Sequence, residues 1–183
     1  MVIAVVIYKV LAVFYNNSKI NLIQSDILIR LSMVAAGSYG AYALGANNVA
    51  NVTAVFVGAG YLSVFSAALI GGLSIGFGIL TFSKRVMETV GKKLVRLDPF
   101  SALVVLLAQS ITVHIYTFIG VPVSTSQAVI GAVLGMGIVK GITTVRSRTL
   151  VNILIAWILT PAIAGFFATA LYFIIHLQYV PNS

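Results

Sequence analysis

Residues 99–139 read PFSALVVLLAQSITVHIYTFIGVPVSTSQAVIGAVLGMGIV and contain no Asp, Glu, Lys or Arg. Residues 31–83 and residues 149–183 are two further stretches without such a charge. A helix needs roughly 20 apolar residues to cross the hydrocarbon core of a bilayer. The first two stretches in the chain therefore each have room for two passes, and the last has room for one.

The overall composition argues against a soluble domain. Of the 183 residues, 60% are hydrophobic and only 8% are charged, whereas about 25% of residues are charged in a typical soluble protein. The few charges cannot cover the large relative surface of so small a chain. We therefore predict an all-α integral membrane protein, multi-pass in the cell membrane, with a single transmembrane domain over residues 1–183.

The net charge of +8 does not indicate nucleic-acid binding, because the basic residues lie between the apolar stretches. One cluster comprises Lys84, Arg85, Lys92, Lys93 and Arg96, and a second comprises Lys140, Arg146 and Arg148. By the positive-inside rule, we expect two cytoplasmic loops at these places. No folded polar face remains for nucleic acid, so the lipid bilayer is the expected partner of the surface.

The sequence predicts several helices in a defined order. They run over about 3–15, from 27 into an Asn-rich segment, over 61–82, 99–119, 124–139 and 150–175, with a polar link at 16–26. The expected basic loops flank residues 99–139, so this pair of helices must leave the cytoplasm and return to it. Two full spans would do so, and so would a re-entrant hairpin that turns at residues 120–122.

The first polar segment within apolar sequence is Gly45-Ala46-Asn47-Asn48-Val49-Ala50-Asn51. Asn side chains are costly in hydrocarbon unless they find partners, and Asn47 and Asn51 share one face of a helix. Gly45 permits local unwinding, which would free backbone carbonyls. Amide and carbonyl oxygens together could bind a hard cation such as sodium. Alternatively, these Asn residues hydrogen-bond neighbouring helices together.

The second polar segment is Val121-Pro122-Val123-Ser124-Thr125-Ser126-Gln127. Pro122 ends the preceding helix, and Ser124 or Thr125 can cap the next one. Free backbone N–H groups, hydroxyls and the Gln127 amide would then surround the positive end of a helix dipole, which attracts anions without Lys or Arg. The alternative is an ordinary capped turn at the outer membrane surface.

Other residues give weaker signals. His114 lies in an apolar helix, where a histidine either relays protons or packs with a hydrogen bond. Gly131 and Gly135 have the small-xxx-small spacing of closely packed helices. The sequence contains no recognisable nucleophile–base pair, metal-ligand cluster or nucleotide-binding loop, so we predict that the chain is not an enzyme and needs no cofactor.

At the two polar segments the sequence resembles the inorganic phosphate transporter family (PiT). That family carries G-A-N-D-V-A-N followed by P-V-S-T-T/S, and the matches here are Gly45–Asn51 and Pro122–Ser126. The resemblance covers about residues 31–175, and its flanks are more similar to the family's C-terminal half. It implies one half of an inverted-repeat transporter, with a discontinuous helix and a re-entrant helical hairpin at about 99–139.

The resemblance also implies a function, which is secondary transport of inorganic phosphate coupled to sodium or protons. The implied phosphate-binding residues are Ser124, Thr125 and Ser126, together with Gln127, which adds its side-chain amide. The implied cation and substrate site is lined by Asn47, Asn48 and Asn51, with sodium at Asn47 and Asn48.

The sequence departs from the family pattern in two ways. Asn48 stands where the family has Asp, which leaves the coupling ion open. The chain has one copy of each motif, so we expect a second half-transporter chain or a homo-oligomer as partner. The alternatives are a truncated or assembly subunit that does not transport, and a permease for another oxyanion such as sulfate.

Overall fold

The computed structural model describes residues 1–17, 21–93, 97–141 and 147–179. Every regular element within these ranges is a helix, which confirms the all-α prediction. The helices are α1 (Val2–Asn17), α2 (Leu22–Gly58), α3 (Val64–Lys93), α4 (Pro99–Ile119), α5 (Thr125–Lys140) and α6 (Ser147–Tyr179). The chain divides into two compact units, Met1–Thr144 and Val145–Ser183, which are described separately.

Several helices are long and apolar enough to cross a membrane. In the described part of the chain these spans are Ile23–Gly58, Val64–Lys84, Pro99–Ile119 and Val151–Ile175. Their large apolar side chains are largely exposed, as lipid-facing residues should be; Leu80 is 87% exposed and Phe118 88%. The multi-pass prediction is therefore confirmed. Helix α5 has 16 residues, or roughly 24 Å at about 1.5 Å per residue, which is less than the ~30 Å hydrocarbon core.

Helix α2 is continuous through the Asn-rich segment, so the expected discontinuity at Gly45 is not found. The positive-φ glycines of the described residues are Gly60, Gly120 and Gly141. A helix keeps its own ladder of backbone hydrogen bonds in hydrocarbon unless other groups satisfy the freed carbonyls. Asn47 finds its partner outside α2, at Val123, without any unwinding. The polar link is also shorter than predicted, because α1 extends to Asn17 and α2 begins at Leu22.

The expected first basic loop is largely helical. Helix α3 continues to Lys93 and so includes Lys84, Arg85 and Lys92. Lys, Arg, Met and Glu are good helix formers, so the helix continues beyond its apolar part. Two residues of the predicted basic clusters, Arg96 and Arg146, lie outside the described residues.

Helices α4 and α5 form an antiparallel hairpin. Residues of the hairpin itself define its base and its turn. At the base, Asp98 caps α4 by accepting hydrogen bonds from the Ser101 amide at 3.2 Å and the Ser101 hydroxyl at 2.7 Å. Lys140 at the end of α5 forms an ion pair with the same carboxylate. At the other end, α4 stops at Gly120, whose φ of 80° is readily adopted only by glycine.

Helix α4 is the centre of the first unit and packs against α1, α2 and α5. Glycine allows close approaches between α5 and α1 and between α2 and α4. A Cβ added at Gly135 of α5 would lie 2.6 Å from the Met1 carbonyl oxygen and 3.0 Å from Ala4 Cβ. A Cβ at Gly40 of α2 would lie 2.7 Å from Ser110 Oγ on α4. The close packing predicted from the glycine spacing is therefore present on α5.

The second unit consists of α6 in the described residues. It contains Pro161 within its length, and its span over Val151–Ile175 is exposed to the surroundings along most of its surface.

The carboxyl group of Asp98 titrates at unusually low pH. Partial burial raises its pKa, but hydrogen bonds from Lys140 and Ser101 and the Lys140 charge lower it more, so that the pKa falls from 3.8 to about 2. A depressed folded-state pKa means that the ion pair stabilises the hairpin fully above about pH 4. This contribution is lost as the pH falls through the folded-state pKa.

We therefore expect Asp98→Asn to lower the free energy of unfolding at neutral pH by about 1 kcal/mol or less, because the pair is half exposed. Asn still caps the helix, so the variant isolates the charge. Thermal melting of the detergent-solubilised protein from neutral pH to about pH 2 measures the effect, and the two proteins should converge at the acid end. The control is Asp26→Asn, which breaks an exposed pair with Arg30. Equal effects of both variants would contradict the assignment.

Candidate functional site

Asn47 joins the two polar segments of the sequence. Its side chain is buried, at 2% exposure. The Asn47 Nδ2 group donates to the Val123 carbonyl at 3.0 Å, and its Oδ1 lies 3.5 Å from both the Val123 amide nitrogen and the Thr117 hydroxyl. One amide of α2 thus meets both backbone polar groups of Val123. Those groups belong to a non-helical turn, where hydrocarbon would leave them unpaired.

The two other Asn side chains of the segment are less buried. Asn48 Oδ1 accepts a hydrogen bond from Asn47 Nδ2 at 3.3 Å, and Asn48 is half-buried. Asn51 is exposed and lines a cavity of about 200 Å³ together with Asn47, as expected for residues four apart on a helix. The remaining cavity-lining residues are Ala50, Ala54, Thr117, Gly120, Val121 and Pro122.

The hydroxyl-rich segment begins α5. Ser124 is the N-cap, and its hydroxyl oxygen accepts a hydrogen bond from the backbone N–H of Gln127 at 3.4 Å. Thr125 is half-buried, whereas Ser126 and Gln127 are exposed. Among the residues that the structure describes, the Thr125 and Ser126 hydroxyls have no hydrogen-bond partner. The predicted cap is therefore confirmed, and hydroxyls beside it are available to a ligand.

The structure brings only part of the predicted site together. The Asn-rich segment reaches the turn through Asn47 and Val123, and Asn51 faces the same cavity as Pro122. The hydroxyl residues Ser124, Thr125, Ser126 and Gln127 adjoin the turn but do not line that cavity. Asn47 also acts as a helix-to-hairpin tie, which was the alternative interpretation of the segment.

Two contributors were missed in the sequence. Thr117 lies beside Asn47, while its hydroxyl donates to the Val113 carbonyl at 2.8 Å. Val123 contributes through its backbone alone. Thr117 lies three residues before the Gly120 cap. A hydroxyl residue this close to the predicted turn was the sign in the sequence that it could contribute to the site. No side-chain pattern could have identified Val123.

The site is uncharged in the described part of the chain. No Asp, Glu, Lys or Arg lies among the cavity-lining residues. In addition, no cluster of three or more His, Cys, Asp or Glu residues with metal-binding geometry occurs within the described ranges. The donors and acceptors that remain are amides, hydroxyls and backbone groups. Such a set suits an anion at a helix N-terminus or a hard monovalent cation at amide oxygens.

A larger groove lies beside this cavity, between α2 and α3. It has a volume of about 850 Å³ and is lined by small and apolar residues, including Gly45, Ala46 and Ala67. Ala50 and Ala54 line both the groove and the smaller cavity. Small residues allow transmembrane helices to approach closely.

Comparison with known proteins gives a consistent result. The sequence profile of the phosphate transporter family matches residues 2–168. A Methanocaldococcus jannaschii protein named "Putative phosphate permease" is 33% identical over 163 residues, which are 89% of this chain and 53% of that protein. Relatives of the same name in Pyrococcus horikoshii and Chlamydia muridarum are 31% and 33% identical, over 79% and 76% of this chain and 38% and 34% of theirs.

One solved structure is similar in fold and in sequence. It is described as "The sodium-dependent phosphate transporter", is 28% identical to this chain, and superposes with a TM-score of 0.75. The match covers 88% of this chain and 43% of that protein. The chain therefore spans about half the length, or less, of the known proteins that it matches.

Proposed function

The chain belongs to the phosphate transporter family, and from this premise we propose that it moves inorganic phosphate across the membrane as one half of a secondary permease. The observation that carries the proposal is the contact of Asn47 with Val123, because it joins the two family motifs at one uncharged site. Transport without enzymatic chemistry is part of this proposal.

The position of this contact supports a re-entrant hairpin over about residues 99–139. Asn47 precedes the end of α2 at Gly58 by 11 residues, which corresponds to roughly 16 Å along a helix. That depth is about half of the ~30 Å hydrocarbon core. With Gly58 near one membrane surface, the hairpin turn at Val123 lies near the middle of the bilayer. Alternating access requires a site that can open to either side.

Phosphate binds at the start of α5 in this proposal. The N-terminus of a helix offers backbone N–H groups and the positive end of its dipole to an anion. Ser124, Thr125 and Ser126 add hydroxyl donors, and the Gln127 amide adds another. These groups discriminate weakly between phosphate and sulfate, so competition by sulfate decides between the two oxyanions.

The coupling cation is sodium or a proton. Asn48 and Asn51 supply amide oxygens near the turn, and oxygen ligands of this kind suit sodium. The similar solved protein is described as sodium-dependent. Asn48 carries no charge, however, so it cannot itself exchange a proton.

A second half-transporter chain, or another copy of this one, completes the site. The exposed Asn51 and the groove between α2 and α3 leave one side of the site without a protein wall in the described residues. A helix seated against Ala50 and Ala54 would close that side.

The direct test is uptake of labelled phosphate by cells that express this chain alone and with a separately encoded second half. We expect uptake in the second case at least, driven by a sodium or proton gradient. Correct membrane insertion without uptake in either case would favour a subunit that does not transport and would overturn the proposal.

Thr125→Ala is expected to reduce phosphate uptake about tenfold, because it removes a donor aimed at the anion. Thr125→Ser should keep most of the uptake, since the hydroxyl remains. The matched control is Thr112→Ala on α4. The Thr112 hydroxyl donates to the Ala108 carbonyl of the same helix at 2.6 Å. Initial uptake rates at equal surface expression measure the effect, and a wild-type rate for Thr125→Ala would contradict phosphate binding at this hydroxyl.

A further inference from the structure

His114 of α4 has a specific partner on α2. Its Nδ1 atom lies 2.7 Å from the Tyr39 hydroxyl oxygen, a hydrogen-bond distance. The rings of Tyr39 and His114 are tilted at a centroid distance of 5.5 Å, and the Tyr42 ring meets His114 edge-on at 5.7 Å. Two aromatic residues of one helix thus hold the imidazole of another.

This pair lies next to the proposed transport site on both helices. His114 precedes Thr117 by three residues, so the two side chains neighbour each other on α4, and Thr117 contacts Asn47. Tyr39 and Tyr42 lie within about two turns of Asn47 on α2. His114 therefore lies one helical turn from Thr117, which contacts the same Asn47 side chain that binds the hairpin turn at Val123.

The chemistry of the pair allows it to gain and lose a proton without losing its hydrogen bond. A tyrosine hydroxyl can donate to an unprotonated imidazole nitrogen, and the same oxygen can accept from the N–H of an imidazolium. Histidine is also the side chain whose ordinary charge change falls nearest to neutral pH. Intramembrane histidines of this kind occur in proton relays.

The surroundings leave His114 as the natural proton carrier of this site. Residues 31–83 and 99–139 contain no Asp, Glu, Lys or Arg, and Asn48 is a neutral amide. Within the described residues, the titratable side chains that contact His114 are Tyr39, through its hydroxyl and ring, and Tyr42, through its ring.

The charged groups of the helices packed around α4 lie at a distance. Lys9 of α1 is exposed, and the α-amino group of Met1 lies beside α5, where a Cβ added at Gly131 would be 3.6 Å from the Met1 nitrogen. Two ion pairs join the charged side chains Asp98 with Lys140 and Asp26 with Arg30. Along α4, Asp98 is roughly 24 Å from His114, at about 1.5 Å per residue. Asp98 and its partner Lys140 therefore cannot replace His114 at the site.

We propose that His114, hydrogen-bonded to Tyr39, is the proton-binding group that couples phosphate movement to a proton gradient in this chain. In each cycle the imidazole takes one proton from the side with the higher proton concentration and releases it on the other. The proposal rests on the proposed phosphate transport, and it can be tested separately from it.

The first experiment is independent of transport. Nitrogen-15 spectra of the histidine-labelled protein in lipid nanodiscs follow its two histidines, His114 and His176, and His176→Gln assigns the signals. Spectra are compared between about pH 5 and 8 with and without phosphate, and we expect the His114 signal to respond to pH and this response to differ when phosphate is present. A His114 signal that stays constant over this range would overturn the proposal, whether or not the protein transports phosphate.

The second experiment separates coupling from transport in proteoliposomes that contain the chain with its second half. An imposed proton gradient should drive phosphate accumulation by the wild-type protein, and His114→Gln should reduce this accumulation about tenfold. Exchange of phosphate at equal pH on both sides should remain within about twofold in the variant. A purely structural role of His114 would reduce both activities together.

Suitable controls exclude other sources of pH dependence. Phosphate itself titrates near neutral pH, so wild type and variant are compared at the same pH values. Tyr42→Phe keeps the ring contact with His114 and should keep proton-driven accumulation. Accumulation driven by sodium alone, or full proton-driven accumulation by His114→Gln, would overturn the proposal. An absence of uptake under any gradient would refute the transport function, and the nuclear magnetic resonance titration would then decide the proton site alone.

Discussion

Replacing Asn47 by leucine is expected to reduce phosphate uptake by about 100-fold, because a displaced binding group can lose that much activity. Leucine has the same number and branching of side-chain heavy atoms but cannot form hydrogen bonds with Val123. The Val123 carbonyl would lose its 3.0 Å hydrogen bond, and its amide would lose its contact with Oδ1. Each unpaired backbone group costs about 1–3 kcal/mol. The turn should therefore move away from α2, and the start of α5 should move with it.

Uptake of labelled phosphate and thermal unfolding in detergent measure the two consequences of this change. The matched variant is Asn51→Leu, four residues further along the same helix face. Asn51 is exposed and has no hydrogen bond in the described part of the chain. We expect Asn51→Leu to lower uptake without lowering the unfolding temperature. If Asn47→Leu left the unfolding temperature and the uptake unchanged, the structural tie between the two motifs would be refuted.

Gly71→Leu is expected to destabilise the packing of α3 on α2 by about 1–3 kcal/mol, the usual cost of overpacking. A Cβ at this position would lie 2.8 Å from Thr53 Cγ2 and 3.2 Å from Val49 Cγ1. The nearer neighbour, Thr53, cannot move easily. Thr53 is 8% exposed, and its hydroxyl donates to the Val49 carbonyl at 2.7 Å, which fixes its side-chain rotamer. The two helices must therefore separate.

The adjacent glycine provides the control for this prediction. Gly72 faces outward, and a Cβ there would have no heavy atom within 4 Å, so Gly72→Leu adds the same side chain without a clash. The two variants are compared by chemical denaturation. The distance between one spin label on α2 and another on α3 reports when the helices separate. Equal stability of Gly71→Leu and Gly72→Leu would show that α2 and α3 do not meet as described.

The helices of the chain were largely predictable because membrane insertion imposes strong rules. Uninterrupted apolar sequence located α4 and α6, and Pro122 with Ser124 marked the start of α5 within one residue. The errors occurred where local signals compete. Gly45 permits unwinding, but α2 stays a continuous helix while Asn47 bonds to Val123 outside it. The basic residues after Lys84 suggested a loop, but their helix propensity extends α3.

The candidate site was predictable in its residues but less in its geometry. The Asn-rich and hydroxyl-rich segments were recognisable because polar residues in hydrocarbon require a reason. Their roles were not, because a side-chain amide can bind a cation, an anion or a backbone. Only the contact with Val123 shows that Asn47 ties α2 to the turn. The Tyr39 partner of His114, which is 75 residues away in sequence, could not be inferred from spacing.

The sequence by itself determined that this protein is a bundle of membrane helices with two uncharged polar segments. Charge-free stretches of this length are unsuited to a water-facing surface. In hydrocarbon, where the backbone must satisfy its own hydrogen bonds, apolar stretches of about 20 residues form helices. The tertiary structure alone decided which polar groups meet. Asn47 reaches Val123, and Tyr39 reaches His114, because Gly40 lets α2 approach α4 closely. Such pairings depend on how the helices cross. The periodicity of residues along one helix does not show which side chains of another helix they will contact.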